Sequence, residues 1–473
     1  MRASCTILTA LAVMAPIVNA APAVGFWGKD RCGKCIDATP YTGSRMTAHD
    51  MRKNQNGKSD ASSGTGNFLH ITDIHIDELY LVGSDPVNTQ CHRVNNTNPS
   101  LNVAGKYGTL GSQCDTPQTL MDATFTWMKN NVRDVDFIIY TGDSARHDRD
   151  PQVPRANTPS ATLDEHRMVA DKISSTFDMS KTTYIPTWGN NDQLIYNKMN
   201  GTNDPVIASL TTILAPFNLG LDSSPSWKKG GYFSYEVKPG LVVLSLNSML
   251  LFSSNKLTTD CSLATSAGKE MLSWANDTLT SLQAAGKKAY IMQHVPPTSV
   301  TGAELYYPGC QSQYVNLIGS HAKTIISSFF GHTNSDYVSF IYTNNTASPA
   351  NGPFFLSTVT NTPPTLDFTK NCVLHVMSQG PSIIPSNNPA VRVYSYSRQG
   401  DSLGALLGYV QYWSDLTKDN ANDAVDYAVE YRTYSAYGLF NLAPFSWAKV
   451  FAGWAKNASS FQNYVRYQNV LGN

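Results

Sequence analysis

Five short apolar segments, each ending in a cluster of Asp, His or Asn residues, constrain this chain more than any other feature of its sequence. The segments and their polar ends are Phe68–Thr72 with Asp73 and His75, Phe137–Tyr140 with Asp143, Tyr184–Trp188 with Asn190, Asn191 and Asp192, Ala289–Gln293 with His294, and Ile325–Phe330 with His332 and Asn334. In α/β sheets, ligands bind beyond the carboxyl ends of the strands. We therefore expect the five polar clusters to converge at one edge of a sheet.

Longer helix-like segments separate these predicted strands. Helices are predicted over Gln118–Asn131 and Thr162–Ser175, and a further strand over Leu241–Ser245. Alternation of this kind indicates an α/β layered fold. Strands resume at about Val391, and the final segment, Ala424–Asn473, is aromatic and predicted to be helical.

The composition narrows the class of protein. Apolar residues make up 41% of the 473 residues and charged residues only 15%, which argues against a disordered chain. The 35 Lys and Arg residues balance the 35 Asp and Glu residues, so the net charge is zero. The sequence therefore predicts no extended basic surface for nucleic acid or anionic membranes. It carries no clear signal for oligomeric state.

The first 20 residues have the pattern of a secretory signal peptide. Arg2 precedes an apolar run from about Cys5 to Val18, and Val18-Asn19-Ala20 fits a small-x-small cleavage site. The alternative is an uncleaved anchor, although the run is short for a membrane span and Pro16 interrupts it. Residues 21–66 are predicted to be a leader and linker, and no later segment is apolar enough to span a bilayer.

Sequons and cysteines agree with export. Five N-x-S/T sequons predict glycosylation at Asn95, Asn200, Asn276, Asn344 and Asn457. Seven of the eight cysteines follow the predicted signal peptide. Disulfides form in an oxidising compartment, and an odd number of cysteines leaves at least one thiol free or paired outside the chain. The predicted location is the secretory pathway, with secretion or delivery to a vacuole or lysosome lumen.

Cys32-Gly-Lys-Cys35 has the C-x-x-C spacing. A redox role would require a thioredoxin-like strand and helix around it, and the sequence offers neither. We therefore predict a local disulfide between Cys32 and Cys35 from their proximity.

The polar clusters contain the ligand types that divalent cations prefer. Carboxylate, imidazole and amide groups suit Zn, Mn, Fe or Co, and no cysteine takes part. Two cations about 3.5–4 Å apart need a bridging carboxylate, for which Asp143 is the natural candidate. A glycine precedes Asp143, Asn190 and His332, where it allows the backbone to turn sharply.

The ordered set Asp-x-His, Gly-Asp, Gly-Asn-x-Asp, His and Gly-His-x-Asn resembles the calcineurin-like metallophosphoesterases over residues 67–335. The chain is most similar to the acid sphingomyelinase and fungal endopolyphosphatase branch. The motifs that carry this likeness are Cys91…Cys114-Asp115-x-Pro117, Gly142-Asp143-Ser-Ala-Arg146-His147-Asp148 and Tyr437-Gly438-Leu-x-Asn441. Endopolyphosphatases carry Gly-Asp-x-x-Arg-His-Asp, Gly-Asn-Asn-Asp and Gly-His-x-Asn, as this chain does, whereas acid sphingomyelinases usually carry Gly-Asn-His and Gly-His-x-His.

The resemblance implies a fold and two disulfides. The fold would be a four-layer α/β sandwich of two mixed β-sheets flanked by helices. Residues 67–400 would form the catalytic domain, and 401–473 would form a C-terminal strand and helix segment packed on it. The implied disulfides are Cys91–Cys114 and Cys261–Cys310, which leaves Cys372 over.

The resemblance also implies a ligand set for two divalent ions. Asp73, His75 and Asp143 would bind the first ion, and Asp143, Asn190, His294 and His332 would bind the second. Asn334 stands where many relatives have a His of the first site. An amide oxygen is a weaker donor than imidazole, so the first site is expected to differ in affinity or metal preference.

Two further positions are predicted to be catalytic, His147 and Asn191. Many relatives use a His at the position of Asn191 to protonate the leaving oxygen, and an Asn has no such proton to give. His147 is the predicted substitute, with a structural hydrogen bond or a substrate contact as alternatives. Arg146, and His147 with it, is predicted to bind substrate phosphate, the alternative for Arg146 being an ordinary salt bridge. Asp148 and Asp192 are expected to orient or support other residues.

The predicted function is cleavage of internal phosphoanhydride bonds of polyphosphate by a metal-activated water, as in endopolyphosphatases. One alternative is an acid sphingomyelinase-like phosphodiesterase that acts on phosphocholine or nucleotide substrates. Another alternative, from a different class, is a non-catalytic glycoprotein that uses this fold as a binding module.

Overall fold

The computed structural model describes Cys35, residues 64–155 and residues 159–471. The predicted signal peptide, Cys32 and nearly all of the predicted linker lie outside the described residues. Among the helices that the structure describes, none combines the length and the hydrophobicity that a membrane span requires.

Strands and helices alternate along most of the chain. The strands are β1 (Thr65–Ile71), β2 (Ile76–Asp77), β3 (Thr116–Pro117), β4 (Phe137–Tyr140), β5 (Thr183–Pro186), β6 (Phe233–Lys238), β7 (Leu241–Ser245), β8 (Lys288–Met292), β9 (Ile325–Phe330), β10 (Tyr337–Thr343), β11 (Phe355–Thr358), β12 (Cys372–Gln379), β13 (Ala390–Ser397), β14 (Leu406–Ser414) and β15 (Tyr427–Arg432). The helices are α1 (Gln118–Asn131), α2 (Pro159–Thr176), α3 (Pro205–Leu214), α4 (Pro225–Gly230), α5 (Ala267–Ala284), α6 (Pro308–Ser320), α7 (Leu416–Asn422), α8 (Thr433–Tyr437), α9 (Pro444–Trp454) and α10 (Ala458–Gln468).

Two mixed sheets form the centre of the molecule. The first has the strand order β15-β14-β13-β1-β4-β5, and the second has the order β11-β10-β12-β9-β8-β7-β6. Strands β1, β4 and β5 are parallel, as are β7, β8, β9 and β12. Each sheet thus contains a parallel group whose carboxyl ends lie at one edge, as the alternating sequence pattern predicts.

The inner faces of the two sheets form the hydrophobic core. The ring of Phe68 in β1 stacks on Phe137 and Tyr394 of its own sheet, with centroid distances of 4.7 and 4.9 Å. The same ring meets Phe329 of the second sheet edge to face, at 5.5 Å. Burial of each such ring contributes about 1.5–3 kcal/mol, so these contacts hold the sheets together.

Helices cover the two outer faces. Trp127 of α1 packs on Tyr412 and Tyr427 at the outer side of the first sheet. On the second sheet, α5 packs against β8, and α6 against β10 and β12. Phe451 of α9 stacks on Phe340 of β10, with a centroid distance of 4.9 Å. The layers are therefore helix, sheet, sheet and helix, which is the predicted four-layer fold.

The C-terminal segment contains a strand where the sequence predicts only helix. Residues Tyr427–Arg432 form β15, which pairs antiparallel with β14. The strand lies at the edge of the sheet, and only Tyr427 and Tyr431 among its six residues are buried. Helices begin only after it. Strands β14 and β15 of the predicted C-terminal segment thus extend the same sheet as β1.

Three disulfides join the described residues. Cys91–Cys114 and Cys261–Cys310 are the two that the family resemblance implies. The third joins Cys35 to Cys372, across a sequence separation of 337 residues, so the predicted Cys32–Cys35 pairing is wrong. Cys372 begins the buried strand β12, and Cys35 packs over it in a small apolar cluster. Closeness in sequence was a poor guide because the fold brings these distant segments together.

Candidate metal centre

The predicted ligands converge where the carboxyl ends of the parallel strands of both sheets meet. Three groups of described side chains have ligand atoms within 4.8 Å of one another, and one of them consists of His75, Asp115 and His147. The other two groups are Asp73, His75 and Asp143, and Asp143, His294 and His332. Asp143 belongs to both of these two groups, which is the position that a carboxylate bridging two cations would occupy.

Short distances link the two groups through Asp143 and Asn190. The Oδ2 atom of Asp143 lies 3.3 Å from His75 Nε2 and 3.1 Å from His294 Nε2. The amide oxygen of Asn190 lies 3.0 Å from His294 Nε2 and 2.7 Å from His332 Nδ1. The donor atoms of these five residues therefore surround two adjacent candidate positions for cations.

The backbone is in the left-handed region at five of the seven predicted ligands. The φ angles are 49° at Asp73, 47° at His75, 61° at Asp143, 72° at His332 and 56° at Asn334. Such a conformation costs a residue with a β-carbon about 1–3 kcal/mol and concentrates at functional sites. The surrounding hydrogen bonds must therefore hold these residues in place.

Glycines make room for the converging loops. Gly142 has a φ of 93°, which favours glycine, and a β-carbon there would lie 2.6 Å from the backbone nitrogen of Gly189. At Gly189 a β-carbon would lie 1.9 Å from Asp143 Oδ1, and at Gly331 it would lie 2.3 Å from Asp73 Oδ2. The glycine before Asp143 allows the predicted turn, whereas the other two allow close packing against carboxylates.

The histidines are oriented by carbonyl groups behind them. His75 Nδ1 lies 2.9 Å from the carbonyl oxygen of Ala145, and His294 Nδ1 lies 2.7 Å from that of Thr141. A carbonyl only accepts, so each Nδ1 carries a proton, and each Nε2 faces the centre, where it can bind a cation in place of its own proton. This arrangement is typical of metal-binding histidines. His332 is turned the other way, with Nδ1 facing Asn190.

Asp192 ties two of the ligand loops together. Its carboxylate accepts from the backbone N–H groups of Asp143 at 2.8 Å, Ser144 at 2.7 Å and Gly189 at 2.7 Å. The side chain is fully buried. This agrees with the supporting role that the sequence predicts for Asp192 and explains how Asp143 and Asn190 are held near each other.

The electrostatics of the site favour bound cations. Burial opposes the ionisation of Asp143, but His294 and His75 outweigh it and hold its pKa well below the usual range. For His294, burial opposes the charged form, and Asp143 and Asp73 outweigh burial and raise its pKa to about 9. The buried carboxylates thus draw positive charge to the place where cations would bind.

Two buried amide oxygens support the same conclusion. Asn334 Oδ1 and Asn191 Oδ1 have no hydrogen-bond partner among the described residues. A buried acceptor without a partner is costly, so a ligand for it is expected. The amide of Asn191 also donates to Asp143 Oδ2 at 2.7 Å. With its carboxylates, imidazoles and amide oxygens, the donor set fits two divalent cations.

His147 lies beside this centre and is oriented by Asp115. Its ring stacks on that of His75 at 4.1 Å, and its Nδ1 lies 2.7 Å from Asp115 Oδ1. Asp115 Oδ2 also accepts the backbone N–H of His147, at 2.6 Å. Asp148, which the sequence offered for this role, accepts instead from the backbone of Arg155. The only sequence signal for Asp115 was its place in the Cys114-Asp115-x-Pro117 motif.

Arg146 points into the protein and not toward the candidate metals. It is only 4% exposed, and Nη2 donates to the carbonyl of Val153 at 2.9 Å. Its Nε lies 3.8 Å from Glu165 Oε1. These contacts oppose the predicted phosphate contact, because neighbouring groups already engage the guanidinium below the surface. Glu165 stands where the salt-bridge alternative needs a partner, although burial raises its pKa to about 8.

The predicted glycosylation sites lie mostly at the surface. Asn200, Asn276, Asn344 and Asn457 are exposed. Asn95 is half-buried, and its Nδ2 donates to Asp85 Oδ2 at 2.8 Å. Glycosylation of these residues stays a prediction.

The chain is similar in sequence to several known phosphoesterases. Residues 369–471 match the family described as the acid sphingomyelin phosphodiesterase C-terminal region. The chain is 35% identical to the endopolyphosphatase of Neurospora crassa over 280 residues, which cover 58% of this chain and 37% of that protein. Against the sphingomyelinase phosphodiesterase C of Dictyostelium discoideum the identity is 27% over 394 residues, or 80% of each protein.

A mouse cyclic GMP-AMP phosphodiesterase is 27% identical over 423 residues, which cover 87% of this chain and 86% of that protein. The chain spans less than half the length of the endopolyphosphatases that it matches. The two phosphodiesterases are thus less identical to this chain than the endopolyphosphatases are, but their similarity extends over most of both chains.

Proposed function

We propose that this chain, a calcineurin-like metallophosphoesterase of the endopolyphosphatase and acid sphingomyelinase branch, is a hydrolase that cuts internal phosphoanhydride bonds of polyphosphate. The observation that carries the hydrolase proposal is the pair of ligand clusters that share Asp143. The choice of polyphosphate is supported by the 35% identity to an endopolyphosphatase. It is also supported by the Gly-Asn-Asn-Asp and Gly-His-x-Asn motifs, which end at Asp192 and Asn334.

The first cation would be held by Asp73, His75 and Asn334, the second by Asn190, His294 and His332, and both by Asp143. When bound, such a pair of cations lowers the pKa of water toward about 7 and neutralises charge on the phosphoryl oxygens. Zn, Mn, Fe or Co suit these donors.

The residues of the chain would supply orientation and a proton. Asp115 holds His147 through Nδ1, which leaves Nε2 as the nitrogen able to give a proton to the leaving oxygen. Asn191, where many relatives have a His, is bonded to the carboxylate of Asp143, and an amide is no acid at neutral pH. We therefore keep His147 as the proposed general acid and assign Asn191 to holding Asp143.

The role of His147 is tested by changing the leaving group. A general acid accelerates the reaction by about 10²–10⁴-fold, and it does so mainly when the leaving oxygen is basic. We expect the hydrolysis rate of His147→Gln to fall by about that factor with an alkyl phosphodiester. With a p-nitrophenyl phosphodiester the rate should fall much less. His92, held between Asp77 and Asp150, provides the control variant His92→Gln. Equal losses of His147→Gln on both substrates would exclude the acid role.

The substrate is tested with a panel. The purified protein is incubated with Mn, Zn, Co or Mg ions and long-chain polyphosphate, and chain length is followed on a gel from acid to neutral pH. Shortening to intermediate lengths is expected. If polyphosphate keeps its length with every metal while a phosphodiester in the same panel is hydrolysed, the polyphosphate assignment is wrong. The proposal that the chain is a hydrolase would still hold.

A sphingomyelinase-like phosphodiesterase is the second candidate. It is favoured by the match of residues 369–471 to the acid sphingomyelin phosphodiesterase C-terminal region and by the 80% coverage of the Dictyostelium relative. Release of phosphocholine from sphingomyelin micelles, or hydrolysis of nucleotide phosphodiesters, would support it.

A non-catalytic binding module of the same fold is the remaining alternative, and Asn191 and Asn334 are the residues that motivate it. Metal analysis of the purified chain separates the two classes of protein. About two ions per chain support the enzyme, and a chain that takes up none supports the module.

We also propose that the chain enters the secretory pathway and is secreted or delivered to a vacuole or lysosome lumen. The three disulfides and the exposed sequons support this proposal. A shift in electrophoretic mobility after N-glycosidase treatment is the expected result, and an unglycosylated chain in the cytosolic fraction would contradict the proposal.

A further inference from the structure

The loop from Gly331 to Asp336, here called the ligand loop, carries two of the seven predicted ligands. His332 and Asn334 lie in it with left-handed backbone, a conformation that needs support from outside the loop. The backbone N–H of His332 donates to the carboxylate of Asp73 at 3.0 and 3.1 Å. The carbonyl of Asn334 accepts from Asn387 Nδ2 at 2.7 Å. These contacts hold the first part of the loop.

The last residue of the ligand loop is fixed by a buried ion pair. Asp336 is 3% exposed, and its Oδ1 lies 2.6 Å from Nη2 of Arg392. The hydroxyl of Tyr431 donates to Oδ2 of the same carboxylate. The backbone N–H of Asp336 donates to the carbonyl of Gln468 at 3.0 Å. Strands β13 and β15 and helix α10 therefore hold this end of the loop.

Arg392 is itself immobilised. It is 1% exposed and lies on β13 in the first sheet, whereas the ligand loop leaves β9 in the second. Its Nε and Nη2 donate to Gln411 Oε1 at 3.0 and 2.5 Å, and its guanidinium lies 4.1 Å from the centre of the Tyr409 ring. Because the Tyr409 ring and Gln411 both engage the guanidinium, its position beside Asp336 is restricted.

A buried ion pair contributes little net stability compared with a well-packed apolar pair, because both charges lose their hydration. Its use at this position therefore needs another reason. What the pair does provide is a fixed direction and distance between the two sheets, at the end of a loop that carries ligands for both cations.

We infer that Arg392 and Asp336 are positioning residues for the candidate metal centre, acting through the ligand loop on His332 and Asn334. This inference rests on the proposed metal-dependent function. Neither residue is a predicted ligand, and their effect should appear as metal affinity, because the loop sets where the imidazole of His332 and the amide of Asn334 point.

The test is a cobalt titration of metal-free protein, followed by visible absorption and calorimetry. Arg392→Met removes the charge and keeps much of the side-chain length. Arg398→Met is the matched control, because Arg398 directly follows the same strand and pairs with Asp136 while 26% exposed. Loss of a group that supports metal ligands typically weakens affinity by roughly 10–100-fold. We expect that loss for both ions in Arg392→Met and less than about a twofold change in Arg398→Met.

A graded series keeps the test valid if Arg392→Met does not fold. Tyr431→Phe removes only the hydroxyl that donates to Asp336, and Arg392→Lys keeps the charge without the planar guanidinium. Both should fall between the parent and the most affected variant in cobalt affinity. A folded variant of the series that binds two ions with the parent's affinity would overturn the inference. A parent that binds two ions but hydrolyses none of the substrates would refute only the proposed function.

Discussion

Replacing the Asp192 carboxylate by an amide should loosen the metal centre while every predicted ligand side chain is kept. In Asp192→Asn, one acceptor oxygen becomes an NH₂ group that faces backbone N–H donors. Oδ2 accepts from Asp143 and Gly189, and Oδ1 accepts from Ser144 at 2.7 Å and Ala145 at 3.3 Å, so either amide orientation loses two acceptor contacts. At about 1.5 kcal/mol or more for each hydrogen bond to a charged group, the loss is about 3 kcal/mol.

Thermal unfolding of the metal-free protein measures this loss. A chain of 473 residues has an unfolding entropy of about 1 kcal/mol per degree, so the midpoint should fall by about 3 °C. The affinity for divalent ions should fall as well, because the two loops that Asp192 joins carry Asp143 and Asn190. Asp148→Asn is the control, since Asp148 accepts one backbone N–H at 2.8 Å. Equal midpoints and equal metal affinities in the two variants would refute the role given to Asp192.

Three further predictions follow from the site and its surroundings. Asp143→Asn should abolish hydrolysis and the binding of both ions while the circular dichroism spectrum stays that of the parent; retained activity would refute the bridging role. Burial, opposed by nearby arginines, raises the pKa of Glu165 to about 8, so the folded chain keeps a proton that the unfolded chain releases near pH 4.5. The contribution of Glu165 to stability should therefore be fully present below about pH 4.5 and be lost as pH rises to about 8; chemical denaturation should show this part of the pH dependence removed in Glu165→Gln and unchanged in Asp164→Asn. Non-reducing peptide mapping should recover Cys35 linked to Cys372, and Cys35→Ser should lower the unfolding free energy by up to about 5 kcal/mol.

The strand ends were the part of the fold that the sequence could predict. Each predicted strand is a short apolar run followed at once by polar residues, and parallel strands bring such ends together whatever the details of packing. For this reason Asp73, Asp143, Asn190, His294 and His332 could be grouped before their distances were known.

Contacts that depend on side-chain direction were not predictable. The long side chain of Arg146 could reach outward to a phosphate or inward to Glu165, and only the packed structure distinguishes the two. The partner of His147 is Asp115, 32 positions earlier in the chain, whereas the sequence favoured the adjacent Asp148. A pairing between distant segments leaves no periodic signal in a single sequence, and the same holds for Cys35 and Cys372.

The predicted ligands are divided between the two sheets, so the site is complete only when both sheets have docked. Asp73, Asp143 and Asn190 follow strands of the first sheet, and His294 and His332 follow strands of the second. A nascent chain that has assembled only one sheet presents half a coordination sphere, which has little ability to retain an ion. Uptake of the cations thus reports that both halves have docked, and ion occupancy separates finished molecules from partly folded ones.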